Sequence, residues 1–133
     1  MLESGAAMHT DIAVTPRSER IASYAIDHDH LRRYTMGDQQ LEAEVLELFA
    51  GELPKTVAAL RAAQTTYEWK VAAHTLKGSA RAVGAWRIAS AAVAAEADPL
   101  IVYDPVSKAE TVAACELAVR DCLVYVRGFT APA

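Results

Sequence analysis

The sequence is poor in the residues that build disulfides, turns and strands. Of its 133 residues, two are cysteine, five are proline and six are glycine. It lacks runs in which valine, isoleucine and threonine alternate with polar residues, whereas hydrophobic residues, largely alanine, make up 53% of the chain. This composition favours an all-α protein. The length suits one domain with its own core and is too short to divide comfortably into two.

The two cysteines, Cys115 and Cys122, lie seven residues apart on one predicted helix, which separates them by about 10 Å. That distance prevents a disulfide between them. A redox or metal site would need closer or more numerous ligands, so we interpret both as small core residues in a reducing cytoplasm. The expected location is therefore cytoplasmic.

The sequence contains no long apolar run. Uncharged apolar stretches such as residues 88–95 fall well short of the roughly 20 residues that a membrane-spanning helix needs. The first residues contain acids and lack a basic start followed by an apolar block, so they do not predict a signal peptide. We expect no membrane contact and a loose N-terminal tail over residues 1–17.

The charge is unevenly distributed along the chain. A net charge of −4, from 13 basic and 17 acidic residues, argues against nucleic acid as the main partner. Between Lys70 and Ala95 there is no acidic residue, and His74 lies within this basic stretch. Its basic residues are Lys70, Lys77, Arg81 and Arg87.

Apolar spacing predicts the helices in the first half of the chain. Residues 18–36 predict one or two short helical pieces that end before Gly37. Asp38 is a suitable N-cap for a long amphipathic helix. Pro54 removes a backbone donor inside that helix, so we expect a kink or a short break over residues 50–54. The expected apolar face comprises Leu41, Val45, Leu48, Phe49, Leu53, Val57 and Leu60.

Capping signals bound the next helix. Thr65 and Glu68 form a capping box at its start, and Gly84 should end it, which gives a helix over about residues 66–83. At about 100° per residue, one side of this helix is apolar and another is polar. The apolar residues are Trp69, Ala72, Ala73, Leu76, Ala80 and Val83, and the polar arc contains Lys70, His74, Lys77, Gly78 and Arg81. Burying unpaired cations is costly, so the polar arc should face solvent.

Two further helices complete the predicted fold. They cover residues 85–97, ended by Asp98 and Pro99, and about 105–127, ended by Gly128. The apolar face of the last helix is expected to comprise Val112, Cys115, Val119, Cys122 and Val126.

Four substantial helices joined by short turns predict an antiparallel four-helix bundle with a short N-terminal helical extension. The single domain is expected to span residues 18–129, followed by a C-terminal tail over 130–133.

The setting of His74 suits phosphoryl transfer. A neutral imidazole is a nucleophile through a ring nitrogen. Lys77 and Arg81, on the same face, would stabilise a phosphoryl group by charge-assisted hydrogen bonds. Gly78 costs roughly 0.5 to 1 kcal/mol against alanine in an exposed helix. Its missing side chain would either allow a partner protein to approach His74 or allow close helix packing inside the bundle.

Residues 73–85, AHTLKGSARAVGA, closely resemble the signature of the histidine phosphotransfer (HPt) domain family of bacterial two-component phosphorelays. Weaker similarity in GDQQLEAEVLELF, residues 37–49, and in residues 88–96 extends the resemblance over about residues 37–98. It implies a four-helix bundle whose exposed histidine accepts phosphate from an aspartate of one receiver domain and passes it to another.

The resemblance also implies roles for individual residues. His74 would be phosphorylated, Lys77 would steady the phosphate, and Gly78 would leave room for the docking receiver. We also assign Lys70, on the same polar arc, to receiver docking. Arg81 stands where the family more often has a small polar residue, so its phosphate-stabilising role is our inference from the helical wheel. Ala95-Glu96 replaces a Leu-Glu pair, a difference that we expect to affect packing only.

The leading interpretation is a phosphoryl carrier with no ATP site of its own, rather than an autonomous kinase. Its partners would be receiver domains of response regulators and hybrid histidine kinases, which would supply Mg²⁺, so no cofactor is expected in this chain. We expect a monomer. One alternative is an unphosphorylated helical module that only docks receivers. A sensor-kinase dimerisation domain is less favoured, because that family usually has an acid after the histidine and a proline further on, where this chain has Thr75 and Gly78.

A second histidine pair, His28 and His30, lies between acids in DHDH. Residues two apart on a helix do not face each other, and no third ligand group is evident. We interpret this segment as a solvated helix start, where the helix dipole favours acids, and expect no metal site.

Overall fold

The structure, a computed structural model, describes residues 25–130. Within this range the chain forms five α-helices and a short 3-10 segment, with no strand. The helices are α1 (His28–Thr35), α2 (Gln39–Ala62), α3 (Thr66–Val83), α4 (Trp86–Ala97) and α5 (Pro105–Thr130), and the 3-10 segment is Pro99–Tyr103. The predicted N-terminal tail and the first part of the helical pieces predicted over residues 18–36 lie outside the described residues.

Helices α2 to α5 form a bundle around one apolar core. Helix α3 packs against α2 and α4, and α5 packs against the same two helices, so α3 and α5 lie diagonally opposite each other. Short connections make successive helices antiparallel, while α1 packs across α2 and α3 as the N-terminal extension. The predicted all-α four-helix bundle is confirmed.

Helix α2 differs from the prediction in two respects. It is one element through Pro54, without the short break expected over residues 50–54, and Leu53 and Val57 on either side of the proline are buried in the core. Its first half is also rotated by one residue from the predicted apolar face. Leu46 is buried, whereas Leu48 is 74% exposed and Leu41 is exposed too.

The rotation of α2 is explained by Glu42. This residue occupies a core position of the helix, where its Oε2 lies 3.5 Å from the hydroxyl of the buried Thr35. The buried positions of α2 follow a three- and four-residue spacing from Glu42 through Leu46 and Phe49. Because Glu42 is charged, the sequence does not mark it as a core position. Leu41, Val45 and Leu48, each one position before a buried residue, have the same spacing, so the prediction assigned the apolar face to them.

The predicted boundaries of α3 are confirmed. Thr65 Oγ1 accepts from the Glu68 N–H at 3.1 Å, while the Glu68 carboxylate accepts from the Gln64 N–H at 2.8 Å. Gly84 ends the helix with φ +79°, a left-handed conformation that glycine adopts without strain. All six residues of the predicted apolar face are buried: Trp69, Ala72, Ala73, Leu76, Ala80 and Val83.

The turn between α3 and α4 is hydrogen-bonded to the segment before α1. The Asp27 N–H donates to the Gly84 carbonyl at 2.8 Å, and a Cβ at position 84 would lie only 2.9 Å from the Asp27 Cβ. Trp86 Nε1–H donates to Asp27 Oδ2 at 2.9 Å, and this bond is the main reason that the pKa of Asp27 lies below its usual value. The turn therefore requires glycine for both its backbone angle and its close contact.

Helix α5 continues past its predicted end. Gly128 keeps a helical backbone, and the Phe129 ring packs 5.0 Å from the His28 ring, so the helix runs to Thr130. The predicted apolar face of this helix is confirmed by burial of Val112, Cys115, Val119, Cys122 and Val126. Burial raises the pKa of Cys115 and raises that of Cys122 to about 12, which keeps both thiols protonated at neutral pH.

Candidate functional site

The site is centred on His74, on the solvent side of α3. Its side chain is 69% exposed, and its Nδ1 lies 2.9 Å from Oε2 of Glu96. Glu96 comes from the last turn of α4, which the turn at Gly84 brings back antiparallel to α3. The histidine is thus held at one ring nitrogen by a neighbouring helix while most of the ring remains in solvent.

The other carboxylate oxygen of Glu96 binds Lys77. Lys77 Nζ donates to Oε1 at 2.6 Å, and the lysine side chain is only 18% exposed. The bond from Lys77, followed by the bond from His74, holds the pKa of Glu96 below its usual value. The carboxylate is therefore ionised at neutral pH and links the two residues of α3.

This arrangement selects one tautomer of the neutral imidazole. An ionised carboxylate can only accept hydrogen bonds, so the proton of the ring must lie on Nδ1 of His74. The lone pair of Nε2 then points away from Glu96 and is available to an electrophile. Fixing a ring nitrogen with a carboxylate also orients the ring, as it does for metal-bound histidines.

Glu96 is the site residue that sequence reasoning missed. We expected the Ala95-Glu96 pair to affect packing only, but Glu96 contacts both His74 and Lys77. The basic stretch around His74 is therefore not a purely positive surface. Arg87, which the sequence places in that stretch, instead donates to Asp121 on α5 at 2.9 Å.

The other predicted site residues lie on the same exposed face of α3. Lys70 and Arg81 are exposed, and neither side chain makes an ion pair or hydrogen bond with the described part of the chain. A Cβ built at Gly78 meets nothing within 4 Å. Gly78 is therefore not required for helix packing within residues 25–130, which removes one of the two explanations of this glycine.

A groove of about 340 Å³ lies directly beside His74. Lys70 and Glu96 line its polar side, and Tyr67 and Val71 provide an exposed apolar side. A neighbouring groove between α2 and α3, of about 480 Å³, shares Tyr67 and Val71. The three- and four-residue spacing of Tyr67, Val71 and His74 places them in one row, a signal that the sequence contained and that we did not use.

The histidines of the DHDH segment pack against aromatic side chains, so the prediction of a solvated helix start is wrong for both rings. The His28 ring bonds to the Tyr125 hydroxyl through Nε2, and the His30 ring lies edge-on to Trp86 with ring centroids 5.0 Å apart. Across residues 25–130, no three His, Cys, Asp or Glu side chains are grouped so as to hold a metal ion. No helix in that range has the length and apolar character needed to cross a membrane.

The tautomer of His74 provides a direct test of this geometry. When the His74 ring is neutral, its ¹⁵N NMR spectrum should show mainly the Nδ1–H form. Glu96→Ala should reduce the fraction of that form because the acceptor is lost. Glu44→Ala, at an exposed position on α2, is the control and should leave the tautomer unchanged. An unchanged tautomer in Glu96→Ala would show that Glu96 does not orient the ring.

Comparison with known proteins identifies the family of this chain. The chain matches the family model of the Hpt domain over residues 44–127, a range that includes both His74 and Glu96. No curated protein and no solved structure matches the chain significantly. The match covers more than half of the chain, confirms the family suggested by residues 73–85, and agrees with the helical bundle described above. The chain therefore belongs to the Hpt domain family.

Proposed function

We propose that this chain is a phosphorelay intermediate that carries a phosphoryl group on His74 between receiver domains. Its family supports a histidine phosphotransfer role in two-component signalling. The observation that best supports the specific proposal is the Nδ1 contact with Glu96, since it leaves Nε2 of an exposed histidine as the nucleophile.

The proposed step is an in-line transfer. The Nε2 lone pair of His74 attacks the phosphorus of a receiver aspartyl phosphate, the bond from phosphorus to the aspartate oxygen breaks, and the aspartate leaves as a carboxylate. The ring becomes cationic while its Nδ1 proton stays bonded to Glu96, so the carboxylate stabilises the charge that develops. The reverse step passes the phosphoryl group to a second receiver.

Two cations lie where they can act on the transferred group, and a third lies beside the groove. Lys77 is one turn from His74, and its ammonium can move from Glu96 toward phosphoryl oxygens once Nε2 is modified. Arg81 is two turns away and has no partner among the described residues, so its guanidinium can approach the same negative charge. Lys70 lines the groove on the other side of His74 and is assigned to receiver docking.

The surface around His74 suits a receiver domain. Gly78 leaves open space one turn from His74. The groove beside His74 combines the apolar Tyr67 and Val71 with polar residues. The partners would be receivers of response regulators and hybrid histidine kinases, which would bring the aspartate and its Mg²⁺. This chain would act in the cytoplasm, without a cofactor or ATP site of its own and without nucleic acid or membrane contact.

His74→Gln is the primary test. The variant should accept no acid-labile phosphate from a phosphorylated receiver, yet keep near wild-type stability because the side chain is exposed. His30→Gln, which changes a histidine remote in sequence from the groove, should be labelled like the wild type. Wild-type protein that binds receivers without being labelled would support the unphosphorylated docking module, and full labelling of His74→Gln would contradict the assignment.

Gly78→Leu tests receiver access. A leucine at this open position should leave the bundle as stable or stabilise it by up to about 1 kcal/mol, because leucine is a better helix former than glycine. Transfer should nevertheless slow by about 10- to 100-fold, because the side chain misplaces the receiver aspartate relative to Nε2.

Gly51→Leu is the matched control for receiver access. Gly51 lies on α2, and a Cβ there also meets nothing within 4 Å, so the substitution should raise stability similarly and leave transfer unchanged. Melting temperatures and single-turnover transfer rates of both variants provide the comparison. A normal transfer rate in Gly78→Leu would show that receivers do not approach over this glycine.

A further inference from the structure

The outer face of α5 carries an apolar stripe that nothing in the described structure covers. Val106, Leu117 and Val124 are 69%, 44% and 63% exposed. At about 100° per residue they fall in one narrow arc together with the exposed Ala109 and Ala113. The stripe runs for about 27 Å from Val106 to Val124 at 1.5 Å per residue. It lies diagonally across the bundle from α3 and is therefore separate from the His74 surface.

Two unpaired charges of opposite sign flank the centre of this stripe. Glu110 lies toward its N-terminal end and Arg127 just beyond its C-terminal end, and both are exposed, at opposite edges of an arc of about 100°. Neither side chain makes an ion pair or hydrogen bond with any residue in the range 25–130. Their positions differ by 17 residues, which corresponds to about 26 Å along the helix.

We propose that two copies of this chain associate through the outer faces of α5, antiparallel and related by a two-fold axis. This orientation places Glu110 of each copy against Arg127 of the other, so the dimer contains two ion pairs and each unpaired charge gains a partner. A parallel pairing would instead place Glu110 against Glu110 and Arg127 against Arg127. The charge pattern thus favours a second copy of this chain in the antiparallel orientation.

The same register makes the apolar residues complementary. Ala113 of one copy faces Val124 of the other, so a small side chain receives a large one. Leu117 faces Arg120, whose aliphatic stem covers the leucine while its guanidinium remains in solvent. Arg120 is exposed and has only a long 3.8 Å contact with Asp121, so it is free to adopt this position.

This association changes the expectation of a monomer and leaves both phosphorylation sites accessible. Because α3 and α5 are diagonally opposite, each His74 points away from the two-fold axis. The dimer would therefore present two receiver-docking surfaces on its opposite sides. The proposal does not depend on phosphoryl transfer, and dimerisation and labelling are measured separately.

Sedimentation equilibrium of the full chain over a range of concentrations tests the proposal. The wild type should dimerise reversibly, and Glu110→Arg or Arg127→Glu should each raise Kd by about tenfold, because like charges then face each other. The double charge swap should restore the Kd to near the wild-type value. Leu117→Glu should give a monomer that still accepts phosphate at the wild-type rate per chain.

Leu48→Glu is the matched control, since Leu48 is an exposed leucine on α2 outside this face, and its dimer should be unchanged. Circular dichroism establishes that each variant is folded, and Val124→Glu replaces Leu117→Glu if the latter is not. A wild-type chain that stays monomeric up to about 1 mM would overturn the proposal. A dimer insensitive to the single charge reversals, or not restored by the double swap, would overturn it as well.

Discussion

The site depends on one carboxylate shared between two helices. Oε2 of Glu96 holds Nδ1 of His74 at 2.9 Å, and Oε1 holds Lys77 Nζ at 2.6 Å. With both oxygens occupied, the carboxylate fixes the histidine ring, settles which nitrogen bears the proton and keeps the lysine beside the ring. A carboxylate in this position also offsets the positive charge of a ring that has been modified at Nε2.

The geometry of that contact is determined by the turn between α3 and α4. His74 and Glu96 are equally distant along the chain from Ala85, so an antiparallel pair of regular helices brings them level. The turn is held by the left-handed backbone of Gly84, by its hydrogen bond to Asp27 and by the bond from Trp86 to the Asp27 carboxylate. Asp27, the N-cap of α1, thus contributes to the site by holding the turn in place.

Local signals in the sequence were sufficient to predict much of this structure. The caps at Thr65 and Gly84 and the apolar spacing gave α3 its correct ends and its exposed face, because both depend on residues within a turn of each other. The contact from Glu96 joins two helices, and no spacing within one helix reveals it. Elsewhere tertiary packing outweighed local preference: burial of Glu42 changed the buried register of α2, and the contact of Phe129 with His28 extended α5 past Gly128.

We propose that Glu96 holds Nδ1 so that Nε2 of His74 receives the phosphoryl group. Phosphorylating ¹⁵N-histidine-labelled protein from a receiver and identifying the ring nitrogen coupled to ³¹P by NMR tests this directly. We expect coupling to Nε2 of His74, with the proton on Nδ1 retained. Coupling to Nδ1, or phosphate on another histidine, would contradict it.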